Sequence, residues 1–198
     1  MVRYIQITQV PPQRMALWRS GLSPQRRKRA ERMPDDRETV CGEGLARELL
    51  AAALHCPPEE APLRYDAQGK PLTDDLYLSI SHSRGLAACA VADRPVGLDV
   101  ELVRPAPRRV WEHLSPEERS HAADDAAFFR LWTAKEALLK CRGGRWGQLR
   151  EPASFLTPEG FALPGYLFSD FIDGRVLYAQ SKLSVDFGIA IEAPCNTD

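Results

Sequence analysis

Two acidic residues share one face of a short predicted strand. In the run VGLDVE, which begins at residue 96, apolar side chains occupy one face while Asp99 and Glu101 occupy the other, because residues two apart in a strand point the same way. Adjacent carboxylates repel each other unless a cation, a basic side chain or a shared proton relieves them. A solvated strand face paired with arginine also fits this spacing, so the pair predicts a positive partner without naming it.

A second segment whose residues could take part in catalysis or binding is FFRLWTAKEALLK, residues 128–140. Phe128, Trp132, Glu136 and Lys140 recur at intervals of four residues and therefore follow one side of a predicted helix. The aromatic start predicts burial, so the Glu–Lys end is expected at the edge of the core. The alternative interpretation is an exposed ion pair worth about 0.3–0.5 kcal/mol.

Together the strand and the helix can bring Asp99, Glu101 and Glu136 to a single site. Three carboxylates without clustered His or Cys ligands suit a hard cation such as Mg²⁺. Magnesium usually takes the rest of its shell from water and phosphate oxygens. The residues alone therefore predict a metal site, and a metal that carries a phosphate.

Around these segments the hydrophobic periodicity predicts the order strand, helices, strands, helices, strands. A strand at residues 2–9 is followed by a helix that Ser23 caps and Pro24 begins, and then by a helix over residues 38–56. Residues 107–142 are predicted to be helical again. This order points to the α+β class.

The strand segments also predict how the sheet is connected. LYLSISH, LAACAVA and VGLDVEL are separated only by SRG and DRP, which predicts an antiparallel meander. Near the C-terminus, RVLYAQSKL and FGIAIEA predict a final hairpin. Two similar halves that meet near residue 100 are an alternative organisation, although the sequence contains neither a repeat nor a linker that would mark them.

Composition excludes several broad classes of protein. The chain has 198 residues and a formal net charge of -1, which gives no global argument for binding nucleic acid or a membrane. Its apolar runs are too short to span a bilayer, and its N-terminal MVRYIQITQV lacks the features of a signal peptide. The five cysteines have no metal-binding spacing and predict reduced thiols in a cytoplasmic protein.

Four elements within residues 69–140 resemble the 4′-phosphopantetheinyl transferase superfamily. GLDVE and WTAKEALLK resemble its paired signatures, G(I/V)D(I/V)E and WxxKEAxxK. SISHS resembles the Ser-His element that precedes them, and GKP resembles the turn upstream. The order of the elements and the chain length are similar to the monomeric, two-halved branch of the family, the surfactin-synthetase-activator type.

The resemblance implies transfer of phosphopantetheine from coenzyme A to a serine of an apo acyl or peptidyl carrier protein, with release of adenosine 3′,5′-bisphosphate. Such carriers serve fatty acid, polyketide or nonribosomal peptide synthesis. It also implies a pseudo-dimer of two similar α+β halves, residues 1–100 and 101–198, with the active site and coenzyme A in the cleft between them. The expected cofactor is Mg²⁺, with Mn²⁺ as a substitute, and the expected protein is a cytoplasmic monomer.

Carried over residue by residue, the resemblance assigns Asp99, Glu101 and Glu136 to the metal and the pyrophosphate. Glu136 is also the expected base for the carrier serine, directly or through a water, and Lys140 is expected to offset charge on the pyrophosphate. These residue types suit the reaction, because serine is a poor nucleophile at neutral pH and a base that accepts its proton is worth about 10²–10⁴ in rate. Asp99, Glu136 and Lys140 are thus the expected catalytic residues.

Contacts to the nucleotide end of coenzyme A are expected from Lys70, Ser81 and His82. A histidine at a strand end also commonly bonds a backbone carbonyl, which is the alternative for His82. The basic segment 14–37 is expected either to meet the 3′-phosphate of coenzyme A or an acidic carrier, or to form an ordinary solvated helix face. The candidates for binding coenzyme A in this segment are Arg27, Arg29, Arg32 and Arg37, and we predict that Arg37 makes the contact.

The sequence departs from the family pattern after Lys140, where a glycine-containing turn is common. Here the chain reads CRGGRWGQL; Gly143 and Gly144 can form the turn, while Arg145 and Trp146 add bulk that puts the carrier preference in doubt. Two other functions stay open. One is a Mg²⁺-dependent hydrolase of nucleotide pyrophosphates, and the other is a non-catalytic module that binds carrier proteins.

Overall fold

A computed structural model of the chain describes residues 1–144, 156–157, 160–161, 166–172 and 174–181. These residues form two compact units, Met1–Asp93 and the described residues from Arg94 onwards. Each unit combines a three-stranded antiparallel sheet with an 18-residue helix. The mixture of helices and antiparallel sheets confirms the predicted α+β class.

Short strands flank the helices of the first unit. In chain order its elements are β1 (Val2–Gln6), α1 (Pro12–Ser20), α2 (Pro24–Ala30), α3 (Arg37–Leu54), β2 (Arg64–Tyr65), β3 (Pro71–Leu72), β4 (Tyr77–Ser83) and β5 (Leu86–Ala92). Single-turn 3₁₀ helices lie at Ile7–Gln9 and Pro58–Glu60. The strand predicted at residues 2–9 is therefore shorter than expected.

The sheet of the first unit has the strand order β1-β5-β4. Its central strand β5 is buried along its whole length, as its unbroken run of apolar residues predicts. Helix α3 packs on this sheet, so that Leu45 and Leu49 share one core with Ala87 and Cys89. Burial of this helix face explains why the sequence of α3 has helical periodicity.

The second unit begins with the strand that carries the two acidic residues. Its elements are β6 (Val96–Leu102), α4 (Arg108–Trp111), α5 (Pro116–His121), α6 (Asp125–Arg142), β7 (Leu156–Thr157), β8 (Gly160–Phe161), β9 (Tyr166–Ile172) and β10 (Arg175–Ser181). The main sheet has the order β6-β10-β9, and the Cα of Asp99 lies opposite that of Tyr178.

Helix α6 supplies the core of the second unit. Phe128 and Trp132 are buried, and their rings stack with centroids 6.0 Å apart. This confirms that the aromatic start of the predicted helix is buried. The helix ends at Arg142, and Gly143 follows in the left-handed conformation with a φ of 67°; a glycine accepts this conformation without a steric penalty, so the predicted glycine turn is present.

The helix starts follow local sequence signals. The Ser23 hydroxyl accepts a backbone N–H of α2, and Pro24 occupies the first helical position. Ser115 and Glu118 form a capping box at the start of α5. Pro12 begins α1, because the first turn of a helix tolerates proline.

The predicted three-strand meander is wrong in one respect. β4 and β5 do form an antiparallel hairpin, but β6 pairs with β10 in the sheet of the second unit. The other edge of β5 is instead taken by β1, with Val2 opposite Ala90. Since both edges of β5 are occupied, β6 cannot pair with β5 as the meander required.

Some predicted features lie outside the described residues. β10 covers RVLYAQS of the predicted final hairpin and pairs with β9, whereas FGIAIEA, residues 187–193, is not described. Arg145 and Trp146 also lie outside the described part. Among the helices that are described, none combines the length and the apolar character needed to cross a bilayer.

Candidate functional site

Direct contact between the backbones of β6 and α6 creates the candidate site. A Cβ built on Gly97 would lie 1.9 Å from the carbonyl oxygen of Ala137 and 2.4 Å from the amide nitrogen of Cys141, so only glycine permits this approach. Asp99 and Glu101 follow Gly97 at two-residue steps, and their side chains therefore point to the same face of the strand, toward α6. Glycine thus sets the distance between the acidic strand face and the helix.

The structure brings the three predicted carboxylates together. Asp99, Glu101 and Glu136 each offer an oxygen, and these three atoms all lie within 4.8 Å of one another. Asp99 is 2% exposed and Glu136 is 8% exposed. This burial rules out both simple alternatives, the solvated strand face and the exposed Glu–Lys pair on the helix.

Lys140 completes the cluster from the last turn of α6. Its ammonium donates a hydrogen bond of 2.6 Å to Oδ1 of Asp99, and its side chain is one-third exposed. Desolvation lowers the pKa of this ammonium, but the attraction of Asp99 and Glu136 raises it by more, so the net shift is upward. Lys140 therefore stays charged and offsets part of the negative charge of the cluster.

Glu136 has the most perturbed acid–base equilibrium in the cluster. Its pKa is raised to about 8, chiefly by burial and then by the carboxylate of Asp99, while the ammonium of Lys140 opposes the rise. A shift in this direction means that ionising all three carboxylates together is costly. An additional cation would relieve that cost.

The donor set fits a magnesium ion. Oxygens around Mg²⁺ lie at 2.0–2.1 Å from the metal, so two oxygens in one shell are about 2.9 Å apart when adjacent and about 4.2 Å apart when opposite. The three carboxylate oxygens, within 4.8 Å of one another, need to move by less than about 1 Å to match that shell. Carboxylates without sulfur or imidazole donors are also the ligand type that Mg²⁺ prefers.

The other four predicted site residues, Arg37, Lys70, Ser81 and His82, belong to the first unit. Ser81 is buried and His82 is half-buried on β4. Lys70 is exposed in the turn between β2 and β3. Arg37 is exposed at the start of α3, and its guanidinium bonds Asp35 at 2.6 Å, a partner that the sequence analysis did not anticipate.

His82 has a side-chain partner that sequence reasoning missed. Its Nδ1 lies 2.9 Å from Oε2 of Glu38, in the first turn of α3, and the other oxygen of Glu38 accepts the backbone N–H of Gly85 at 2.8 Å. The ionised carboxylate of Glu38 can only accept a hydrogen bond, so Nδ1 of His82 carries the proton. Nε2 is then the ring nitrogen that can contact another group. No local signal joins residues 44 positions apart, which explains why the pair was missed.

We expect Glu38→Gln to destabilise the protein at neutral pH and less so in acid. The hydrogen bond from His82 lowers the pKa of Glu38, burial opposes this, and the N–H of Gly85 adds to it. A carboxylate with a lowered folded-state pKa stabilises the fold above its unfolded pKa of about 4.5, and this contribution is lost as the pH falls through the folded value. The expected loss at pH 7 is about 1 kcal/mol.

Urea unfolding at pH 7, and in acid at a pH low enough to protonate Glu38 in the folded protein, measures this difference. Glu31→Gln is the matched control, because Glu31 is exposed in the same unit. An equal destabilisation by Glu38→Gln at both pH values would contradict the assignment of an ionised Glu38.

Comparison with known proteins gives consistent matches. A family model described as the 4′-phosphopantetheinyl transferase superfamily matches residues 95–185, a region that contains the whole carboxylate cluster. The 4′-phosphopantetheinyl transferase HetI of Nostoc sp. is 35% identical over 62% of this chain and 58% of its own length. The 4′-phosphopantetheinyl transferase gsp of Aneurinibacillus migulanus is 32% identical over 55% of this chain and 49% of its own length.

This chain covers a larger share of a third relative. The 4′-phosphopantetheinyl transferase AcpT of Escherichia coli O157:H7 is 34% identical over 65% of this chain and 69% of its own length. The chain thus spans 58% and 49% of the first two relatives and more than two thirds of the third. On the family model and on this identity over most of a relative's length, the chain belongs to the 4′-phosphopantetheinyl transferase superfamily.

Proposed function

We propose that this chain transfers the 4′-phosphopantetheine group of coenzyme A to a serine of an apo acyl or peptidyl carrier protein. The observation that carries the proposal is the cluster of three carboxylates within 4.8 Å, with the ammonium of Lys140 on Asp99. Relatives named 4′-phosphopantetheinyl transferases support the same reaction class. The product besides the holo carrier is adenosine 3′,5′-bisphosphate.

In the proposed reaction the serine oxygen forms a bond to the phosphorus that carries pantetheine. The bond from that phosphorus to the bridging oxygen of the pyrophosphate breaks, and the serine proton passes to Glu136, directly or through a water. Glu136 suits this role because it is buried at the edge of the core, two residues before the helix becomes half-buried at Leu138. Lys140 is one-third exposed and can offset charge that develops on the pyrophosphate.

Mg²⁺ is the proposed cofactor, with Mn²⁺ as a substitute. When bound, it would supply positive charge that offsets the charge of the pyrophosphate. Asp99, Glu101 and Glu136 would hold it, leaving further positions of its shell for water and phosphate oxygens. Asp99 would then serve both the metal and the ammonium of Lys140.

For coenzyme A we propose contacts from Arg37, Lys70, Ser81 and His82 to its nucleotide end. His82 would use Nε2, because Glu38 fixes the proton on Nδ1. Arg37 would have to share its guanidinium with Asp35 or release it. The alternative partners for the 3′-phosphate are the exposed side chains of Arg27, Arg29 and Arg32.

We also propose the family's pseudo-dimeric arrangement of two similar halves, with the active site in the cleft between them. The similar content of the two units, each with a three-stranded antiparallel sheet and an 18-residue helix, supports it. A monomeric, cytoplasmic protein is the matching expectation. Cys41, Cys56, Cys89 and Cys141 are free thiols among the described residues, which agrees with a reducing compartment.

Intact-protein mass spectrometry tests the proposed reaction. The purified chain is mixed with coenzyme A, Mg²⁺ and a small panel of apo carrier proteins. We expect one carrier or more to gain the mass of one phosphopantetheine, and we expect the gain to disappear when a chelator is added. Asp99→Asn is the matched inactive variant, and Asp75→Asn, the same change at an exposed position of the first unit, is its control.

The other outcomes separate the alternatives. Cleavage of coenzyme A without a mass gain on any carrier would favour a hydrolase. No cleavage and no gain, together with retention of a carrier on the immobilised chain, would favour a binding module. A gain that persists in chelator would support the transfer reaction and contradict the metal.

A further inference from the structure

A buried ion pair outside the carboxylate cluster involves the same helix that carries Glu136. Glu118 of α5 is 0% exposed at its side chain and Lys135 of α6 is 4% exposed, and the ammonium lies 2.8 Å and 2.9 Å from the two carboxylate oxygens. Lys135 directly precedes Glu136 on the helix. The proposed reaction has no use for either residue, so the pair needs its own explanation.

Stability alone does not explain it. Removing two charges from water is costly, and replacing a buried ion pair by apolar groups of similar size is often neutral or stabilising. What such a pair does provide is a fixed geometry, since neither charge can leave its partner. Because Lys135 and Glu136 are adjacent on one helix, fixing the direction of one side chain fixes the direction of the other.

Glu118 is itself held by the start of its own helix. Its Oε2 accepts the backbone N–H of Ser115 at 2.7 Å, and its own backbone N–H donates to the Ser115 hydroxyl at 3.2 Å. The carboxylate that pairs with Lys135 is therefore held in place by a hydrogen bond from the backbone. α5 thus provides a rigid reference point against which α6 is oriented.

A second contact holds α6 against the strand. At Gly97 the backbones of β6 and α6 touch, which fixes their separation but leaves the helix able to rotate about its own axis. The glutamate carboxylate lies about 6 Å from that axis, so a rotation of about 10° would move it by about 1 Å. The three carboxylate oxygens already have to close by up to about 1 Å to hold a metal ion, so a rotation that added a displacement of the same size would oppose binding, and the rotation needs to be fixed as well.

We propose that the Glu118–Lys135 ion pair is a positioning device that sets the rotation of α6 and thereby aims Glu136 at Asp99 and Glu101. The inference rests on the metal site of the proposed function. It assigns a role to the lysine inside the WTAKEALLK segment that differs from that of Lys140: Lys140 faces the cluster, whereas Lys135 orients the helix that carries it.

The test measures binding of Mn²⁺ alone, by electron paramagnetic resonance, without coenzyme A or a carrier. In the double variant Glu118→Gln/Lys135→Met both charges are removed while the volumes and the acceptor for Ser115 are kept. We expect the Mn²⁺ dissociation constant to rise by about 10- to 100-fold, the range seen when groups that orient metal ligands are removed. Far-UV circular dichroism at the temperature of the titration establishes that the variant is folded.

The matched control neutralises an ion pair of the first unit whose carboxylate is buried and whose guanidinium is partly buried. Glu43 and Arg47 form an ion pair at 3.0 Å with side-chain exposures of 1% and 18%, and Glu43→Gln/Arg47→Met should leave the Mn²⁺ dissociation constant unchanged. If the first double variant does not fold, Glu118→Asp carries the test, because it keeps both charges and withdraws the carboxylate by one methylene group, and it should weaken Mn²⁺ binding by a smaller factor in the same direction.

Each outcome decides between the assignments. Wild-type affinity in the folded Glu118→Gln/Lys135→Met variant would overturn the positioning role and leave the pair as part of the core. Equal weakening by both double variants would also overturn it, because general loosening would then be the cause. Absence of Mn²⁺ binding by the wild-type chain would overturn the metal site itself, and this inference with it.

Discussion

Glu136→Gln is expected to lower the rate of carrier modification by at least about 10²–10⁴, the usual worth of a general base. The amide neither accepts the serine proton nor offers a charged ligand, so the base and one of the three metal ligands are lost together. The fold should be retained, because Glu136 is one of three carboxylates that repel one another and neutralising it relieves that repulsion. The initial rate of mass gain on a carrier, followed by intact-protein mass spectrometry, measures the effect.

The control for this variant is Glu112→Gln. Glu112 is exposed in the same unit, so the same chemical change there should leave the rate unchanged. A Glu136→Gln variant that kept more than about a tenth of the wild-type rate would contradict the role of Glu136 as the base. Mn²⁺ titration of the same variant separates loss of the ligand from loss of the base.

Gly97→Ala is expected to destabilise the protein by at least about 3 kcal/mol, the upper end of the usual cost of overpacking. The new methyl group would lie 1.9 Å from the carbonyl oxygen of Ala137. Backbone atoms cannot rotate away as a side chain can, so β6 and α6 must separate. Thermal unfolding gives the change in stability, and Mn²⁺ titration below the transition shows whether the carboxylates still converge.

Gly21→Ala is the matched control, since the substitution is the same and the surroundings differ. A Cβ on Gly21 would meet nothing closer than 3.5 Å, and its φ of -82° suits any residue. Alanine there should be neutral or should stabilise by about 0.4–1 kcal/mol through the unfolded chain. Equal effects of the two variants would show that the contact at Gly97 is not what limits stability.

The sequence predicted local structure better than strand partners. Ser23 and Pro24 indicated the start of α2 correctly, because a cap is decided by residues within one turn. The pairing of β6 was mispredicted because alternation of apolar residues defines the faces of a strand but not its neighbour. The edge of β5 that β6 was expected to take is occupied by β1, which comes from the far end of the unit.

The functional residues also divide into those that local sequence patterns predicted and those that they did not. The convergence of Asp99, Glu101 and Glu136 could be predicted because each lies in a motif with a clear period, on a strand or on a helix. Glu38 and the Glu118–Lys135 pair could not, since their partners are distant in sequence and carry no periodic signal. Lys135 in particular lies within a recognisable motif, yet only its burial separates its role from that of Lys140.

The pairing of β1 with β5 has a consequence for synthesis on the ribosome. Val2 pairs with Ala90, and translation at about 5–20 residues per second takes roughly 4–18 seconds to make the chain between them. During that interval β1 and the core face of α3 are exposed without the strand that covers them. Synonymous codons that slow elongation between β1 and β5 would lengthen this exposure, so the yield of folded protein in heterologous expression should be sensitive to codon choice in that stretch.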